Sequence, residues 1–440
     1  MTDKNKTIIA VATAQSVGAL GIIRISGKEA FKAGKAVFSN LDQSKPRYMF
    51  YGELKAGEYT DRCTAVYFKA PHSFTGEDSI EFYCHGSLAL LNGIVAYMVD
   101  ELDLTYAEGG DFTARAFSNG KIDLTEAEGV YDIINATTEA EIRGAYSLLT
   151  GKLKNEIEKV QKMVLSTRAN IDAPIDYPEE DVEEQTENQV KVDLEKIKAE
   201  LDILLDSYKS GRILRDGVFV TLIGKPNAGK SSLLNALLGY NRAIVTSEQG
   251  TTRDTLTESF VYRGLRFNLT DTAGIRKAET LPEQLGVERA IDTIKQSDII
   301  LALTEDGVLP EVVGSIADKK VIVVENKADI RQIEDKNYVY PVVKVSAKTG
   351  EGIDQLKEEL FKASGVVISG GACLNNARQQ SMAKQAHTHI ERAIENIGLV
   401  PLELISSDLF DAFTVLGRIT GITGSDALAG EIFSKFCVGK

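Results

Sequence analysis

The segment Gly224-Lys225-Pro226-Asn227-Ala228-Gly229-Lys230-Ser231 has the residue types and spacing to hold a polyphosphate. It follows the apolar run Val218-Phe219-Val220-Thr221-Leu222-Ile223 and leads into Ser232-Leu233-Leu234-Asn235-Ala236-Leu237-Leu238. That is strand, glycine loop and helix, with the GxxxxGK[ST] spacing of a P-loop. Glycines let the backbone turn its N–H groups inward around phosphate oxygens, and the helix N-terminus adds its positive dipole end. Lys230 then reaches the β/γ-phosphates, and the Ser231 hydroxyl takes a ligand position on Mg²⁺. A chance glycine turn would need neither the strand before nor the helix after.

Four further groups follow in chain order. Thr251-Thr252-Arg253-Asp254 lies in a polar loop after Gly250, where a threonine can close over the γ-phosphate and Thr252 can offer its hydroxyl to Mg²⁺. Asp271-Thr272-Ala273-Gly274 follows Phe267-Asn268-Leu269, which places a carboxylate by the metal and a glycine N–H by the γ-phosphate. Asn326-Lys327-Ala328-Asp329 ends the apolar run Val321 to Val324, and its Asp can accept two hydrogen bonds from guanine N1–H and the 2-amino group, which adenine does not offer. Ser346-Ala347-Lys348 follows the run ending at Val345 and completes a base pocket through backbone N–H groups. Each tetrapeptide alone is weak, but in this order and at strand ends they point to GTP rather than ATP. Ile275 stands where many small GTPases carry the glutamine that orients the attacking water, and no arginine finger is evident, so both tasks must be met from elsewhere.

The elements that must position these groups are readable in outline. Thr7 to Ala12, Gly21 to Ile25, Cys63 to Phe68 and Ser79 to Cys84 read as strands, so residues 1–118 form a small α/β domain. Arg24 and Glu81 each fall within one of these strands, where a solvated alternate position is the plain alternative to a functional one. From about Asp123 the texture is helical: Leu153, Ile157, Val160 and Val164, then Val190, Leu194, Ile197, Leu201 and Leu204, recur at helical spacing across 119–215. The acidic run Pro178 to Glu184 reads as a solvated loop. Residues 216–372 alternate strand and helix, with strands at Leu265 to Leu269, Ile299 to Leu303, Val321 to Val324 and Val342 to Val345, the pattern of a mostly parallel sheet with helices on both faces. Helical texture returns over 373–440, with Met382, Ala386, Ile390, Ala393 and Ile397. The expected fold is multidomain, α/β plus α, with a P-loop domain inserted into a discontinuous helical domain.

Composition narrows the partners. A chain of 440 residues that is 43% hydrophobic and 26% charged can bury a core. No apolar run reaches the ~18 residues of a membrane span and no signal-peptide region opens the chain, so a cytoplasmic, non-membrane protein is expected. Cys63, Cys84, Cys373 and Cys437 are scattered without CxxC spacing, which suits reduced thiols. The net charge of −14 argues against gripping nucleic acid over a broad basic surface, so any RNA contact is local or shared.

Taken together, the chain resembles the tRNA-modification GTPase MnmE (TrmE) family over nearly its whole length. The resemblance rests on Gly21-Ile22-Ile23-Arg24-Ile25-Ser26-Gly27, Phe74-Thr75-Gly76-Glu77-Asp78, Asn119-Gly120-Lys121-Ile122-Asp123-Leu124, the GTPase set and the terminal Phe436-Cys437-Val438-Gly439-Lys440. It implies an N-terminal folate-binding domain that forms a homodimer, and an FAD-containing partner, MnmG (GidA), in a heterotetramer. That complex adds an aminomethyl or carboxymethylaminomethyl group to C5 of the wobble uridine of tRNA, with 5-formyl- or methylene-tetrahydrofolate supplying the one-carbon unit. Residue by residue, the resemblance makes Asn227 a K⁺ ligand aided by Thr246, Glu248 and Thr251, within a nucleotide-binding loop that also includes Ser247, Gln249 and Gly250. A monovalent cation there can supply the charge that an arginine finger gives elsewhere. Glu283 takes the water-orienting role, with Glu279 as a nearby rival. Arg24, Glu81, Lys121 and Lys440 match folate positions, where basic groups and a carboxylate suit a pterin with a glutamate tail. Cys437 is a hallmark with a possible chemical role, although no neighbouring His activates it in sequence. The loop Gln15 to Leu20 carries less glycine than is common in the family. The competing reading, a regulatory or ribosome-assembly GTPase switch without one-carbon chemistry, expects an appended RNA-binding module and a basic surface, and neither is found in the sequence.

Overall fold

The structure is a computed structural model that describes residues 5–176, 183–239, 258–271, 293–310, 313, 319–330, 338–366, 371–423 and 426–439, with the backbone alone at 173–176, 183–186 and 426–428. The chain divides into two compact units.

The first unit takes in residues 1–131, 148–199 and 382–440. Its sheet comprises β1 (Ile8–Val11), β2 (Gly18–Ser26), β3 (Met49–Ala56), β4 (Tyr59–Phe68), β5 (Ser79–Gly86) and β6 (Thr105–Tyr106), in the order β3-β4-β5-β2-β1-β6. All neighbours are antiparallel except β1 and β6. Alternate residues of these strands point to one face, so Ile9, Ile23, Ile25, Leu54, Ala65, Tyr67, Ile80 and Phe82 form a core with the helices Ala30–Val37 and Leu88–Leu102. Each fully buried aliphatic or aromatic side chain there contributes ~1.5–3 kcal/mol. β3 was not expected from the sequence. It is an edge strand with Met49 and Tyr51 exposed, so its first half has no inward apolar alternation to read.

The helical part of this unit joins two distant stretches of chain. The helix Lys152–Asp176 buries Leu153, Ile157, Val160 and Val164, and Leu402–Thr420 buries Ile405, Leu409, Ala412 and Leu416. Gln161 donates to the Phe413 carbonyl at 3.0 Å, Arg168 Nε to Ser406 Oγ at 3.1 Å, and Lys198 pairs with Glu391 at 3.1 Å. Of the acidic run, residues 178–182 lie outside the described residues, while Glu183 opens the helix Glu183–Asp216.

The second unit, residues 132–147 and 200–381, contains all of 216–372. Its sheet holds β7 (Val218–Gly224), β8 (Glu258–Tyr262), β9 (Leu265–Asp271), β10 (Ile299–Thr304), β11 (Lys320–Glu325) and β12 (Val342–Lys344), in the order β12-β11-β10-β7-β9-β8. Every pair is parallel except β8 with β9. β7 and β10 are buried nearly throughout, as strands covered on both faces must be. The consecutive strands β9 and β10 lie on opposite sides of β7, and ligands of such sheets bind outside the carboxyl ends of the strands at that switch point. β8 was not expected either; it is the short antiparallel edge of the sheet.

Candidate functional site

The glycine loop leaves β7 at Gly224 and enters the helix Lys230–Leu238. Gly229 sits at φ +88, and a Cβ there would lie 2.2 Å from Asn326 Nδ2, so only glycine fits both the turn and the neighbour. Asn227 also has positive φ, at +67, a conformation that Asn tolerates better than most side chains. Ala228 is buried, and Lys230 is nearly so. Lys230 Nζ donates to the Gly224 carbonyl at 2.8 Å and to the Lys225 carbonyl at 2.9 Å, which holds the ammonium against the loop that carries the inward N–H groups. Lys225 itself turns outward to Asp306 at 2.8 Å, a bond that holds the Asp306 carboxyl below the usual carboxylate range.

Two candidate metal ligands meet beside this loop. Ser231 Oγ donates to Asp271 Oδ2 at 3.4 Å, so a hydroxyl from the helix and a carboxylate from the end of β9 converge. Hard oxygen donors of this kind suit Mg²⁺. Ser232, the next residue of the helix, is exposed.

The base-pocket candidates are tied to the phosphate loop through one side chain. Asn326 Nδ2 donates to the Ala228 carbonyl at 3.0 Å, and Asn326 Oδ1 accepts from Lys327 N at 2.8 Å and from Ala347 N at 3.2 Å. Asn326 thereby holds three segments in one arrangement. Ser346 Oγ donates to Asp329 Oδ1 at 2.8 Å, leaving the other carboxylate oxygen for further donors. Lys327 pairs with Glu305, and Lys348 stands on the turn after Ser346. Thr246, Ser247, Glu248, Gln249, Gly250, Thr251, Thr252, Thr272, Ala273, Gly274, Glu279, Glu283 and Lys440 lie outside the described residues.

A second constellation forms in the first unit. Arg24 and Glu81 are register partners on β2 and β5, joined by Arg24 Nε to Glu81 Oε1 at 2.8 Å. Both side chains are largely buried, which removes the solvated alternative considered for them. Tyr83, two residues along the same strand face, donates its OH to Glu81 Oε2 at 2.7 Å; burial, together with that bond, pushes the Tyr83 hydroxyl up to about 12. The Arg24 guanidinium lies 5.7 Å from the Phe74 ring centroid and 5.6 Å from that of Phe112.

The chain's last residues meet this pair. Arg24 Nη1 donates to the Gly439 carbonyl at 3.3 Å, and Val438 bridges to Gly109. Gly439 has φ +94, and a Cβ there would fall 2.7 Å from Ala12 Cα and from the Val11 carbonyl, so the tail glycine is needed for the backbones to approach. Cys437 is exposed beside this contact. Lys121 reaches the same neighbourhood through a loop: its Nζ donates to the Pro71 carbonyl at 3.0 Å, while Phe74 of that loop stacks on Arg24. Asn119 Nδ2 donates to the Thr75 carbonyl at 2.7 Å, and Arg115 pairs with Glu77 at 2.8 Å, fixing the Phe74 to Glu77 segment. Sequence reasoning missed Tyr83, Arg115 and the bridging role of Asn326. Tyr83 was within reach, because its i+2 spacing from Glu81 puts both on one strand face.

The family model described as the MnmE helical domain matches residues 124–437, and that for the GTP-binding protein TrmE N-terminus matches residues 7–121. The tRNA modification GTPase MnmE of Acetivibrio thermocellus is 38% identical, over 99% of this chain and 100% of that protein. Those of Shouchella clausii and Aquifex aeolicus are also 38% identical, over 99% and 98% of this chain and 99% of each relative. The G domain of the T. maritima FeoB iron transporter is 29% identical over 33% of this chain and 98% of that one, at a TM-score of 0.26. Similarity that spans both family models and the full length of these relatives places the chain in the MnmE (TrmE) family of tRNA modification GTPases.

Proposed function

We propose that this chain is a potassium-activated GTPase that works as a homodimer with the FAD-containing partner MnmG (GidA), in a heterotetramer, to add an aminomethyl or carboxymethylaminomethyl group to C5 of the tRNA wobble uridine. The proposal assigns folate binding and dimerisation to residues 1–118, the nucleotide to 216–372, and the discontinuous helical domain to 119–215 and 373–440. The observation that carries it is the Arg24–Glu81 pair with the Gly439 carbonyl upon it, because it brings the backbone of the C-terminal tail onto a charged pair of the N-terminal sheet.

The donor set suits the folate expected there. Glu81 still has lone pairs beyond those used by Arg24 and Tyr83, and can accept the paired N–H groups of a pterin; Arg24 keeps guanidinium donors for a carboxylate or carbonyl. Tetrahydrofolate, when bound, supplies the one-carbon unit, and 5-formyl- or methylene-tetrahydrofolate is the form proposed. Lys121 and Lys440 are assigned to the glutamate tail, and Cys437 to the chemistry at the exposed end of the tail. In the nucleotide domain, Lys230 and the loop N–H groups bind the phosphates, Ser231, Thr252 and Asp271 hold Mg²⁺, and Asn326, Asp329 and Ser346 to Lys348 select guanine. Asn227, Thr246, Glu248 and Thr251 would hold K⁺, which would supply the positive charge that an arginine finger gives elsewhere, and Glu283 would orient the water.

Calorimetry of the full chain with 5-formyltetrahydrofolate tests this reading. The unaltered chain is expected to bind, and Arg24→Ala and Glu81→Gln to weaken binding by about 10- to 100-fold, the worth of one hydrogen bond to a charged group. No binding by the unaltered chain would leave a GTPase switch without one-carbon chemistry, and equal binding by all three would take the folate away from the Arg24–Glu81 pair.

A further inference from the structure

Cys63 and Cys84 look unrelated in sequence, 21 residues apart and without metal-ligand spacing. The register of β4 and β5 changes that. Thr64 pairs with Tyr83, and beside that pair Cys63 and Cys84 come close enough for their side chains to share a hydrogen bond. Asp61, two residues from Cys63 on β4, shares that face. One carboxylate oxygen of Asp61 and the sulfurs of Cys63 and Cys84 lie within 4.8 Å of one another, and all three residues are buried.

The Asp61 carboxylate is held in place by His85. Its Oδ2 accepts from the His85 backbone N–H at 2.9 Å, and its Oδ1 meets His85 Nδ1 at 2.7 Å. The imidazole is mostly exposed, so it fixes the carboxylate from the rim while lone pairs remain on the side of the thiols. Thiols are weak donors and do little for a buried carboxylate. A cation bound by both sulfurs and the carboxylate would replace the weak contact between the two thiols, and the carboxylate is already oriented by an outer histidine, the kind of supporting contact that metal ligands require.

We propose that Asp61, Cys63 and Cys84 form a binding site for a thiophilic divalent cation, with Zn²⁺ as its natural class of occupant and His85 as the residue that positions Asp61. Two sulfurs and one oxygen suit Zn²⁺, which takes four ligands in a tetrahedron, and a water at the rim completes the set. Tetrahedral bonds of ~2.3 Å to sulfur and ~2.0 Å to oxygen put donors roughly 3.5–3.8 Å apart, a contraction of at most about 1.3 Å from the observed cluster. Binding one cation turns two thiols into thiolates and releases two protons to solvent. The bound cation would clamp β4 to β5, the strand that carries Glu81 and Tyr83.

The full chain, stripped with chelator under reductant and free of nucleotide, can be titrated with Co²⁺ and read by absorbance. One equivalent is expected to raise a thiolate-to-cobalt charge-transfer band that excess Zn²⁺ abolishes. Cys63→Ser and Cys84→Ser should each lose the band, while Cys373→Ser and Cys437→Ser keep it. His85→Ala leaves every ligand in place at an exposed position, and should retain the band with affinity lowered about 10- to 100-fold. That variant separates loss of the site from misfolding of a core substitution. No band in the reduced chain, or a band that survives both serine replacements, would overturn the site; unchanged affinity in His85→Ala would overturn the positioning role.

Discussion

Lys230→Ala is expected to lower GTP hydrolysis by about 100- to 1,000-fold, in line with the removal of one preorganised donor from charge that develops in a transition state. Lys230 opens the helix after the glycine loop, and its Nζ is held by the Gly224 and Lys225 carbonyls. Those contacts keep a cation at the mouth of the loop before any phosphate arrives, so little reorganisation is needed when charge builds on the β/γ-phosphates. Losing two partly buried hydrogen bonds to loop carbonyls costs only ~1 kcal/mol each in stability, too little to explain such a drop through unfolding. Phosphate release measured beside far-ultraviolet circular dichroism separates the two effects. A folded variant that keeps more than about a third of the rate would remove Lys230 from the phosphate site.

Asp329→Asn is expected to weaken GTP binding by about 100-fold or more and to improve binding of xanthosine triphosphate. The Asp329 carboxylate accepts from Ser346 Oγ at one oxygen. Guanine would bring two N–H donors to it, and hydrogen bonds to a charged group are worth ~1.5–3 kcal/mol each. Asn offers an NH₂ in place of one oxygen, which faces the 2-amino donor of guanine unfavourably and pairs with the 2-oxo group of xanthine. Competition binding of a fluorescent guanine nucleotide, against ATP, GTP and xanthosine triphosphate, reads the change directly. Equal loss for all nucleotides would mean that Asp329 supports the loop and does not select the base.

The parts of the molecule that were legible in the sequence are those in which local chemistry repeats a local pattern. The strands β7 and β11 are short apolar runs that end at the motif segments, because each crosses a buried sheet and then surfaces at its carboxyl end, and β9 alternates before reaching Asp271. β3 and β8 are edge strands with weak or interrupted burial, so neither period nor hydrophobicity marked them. What joins the site is long range. Asn326 reaches the Ala228 carbonyl across 98 residues, and Arg24 reaches Gly439 across 415. Such contacts are set by sheet order and by the docking of the tail, and no window of sequence contains both partners. The Cys63–Cys84 contact is of the same kind: it exists only once β4 and β5 are in register.

The proposed potassium-dependent route to hydrolysis turns on Asn227, the non-glycine residue at φ +67 in the phosphate loop. Steady-state GTP hydrolysis by the purified full chain, in KCl and in NaCl at equal ionic strength with Asn227→Ala alongside, tests it most directly. Faster turnover in KCl, by at least about tenfold, and its loss in Asn227→Ala are the expected results. Equal rates in the two salts would contradict a cation acting in place of an arginine finger, and would leave the chain a GTPase that finds its transition-state charge elsewhere.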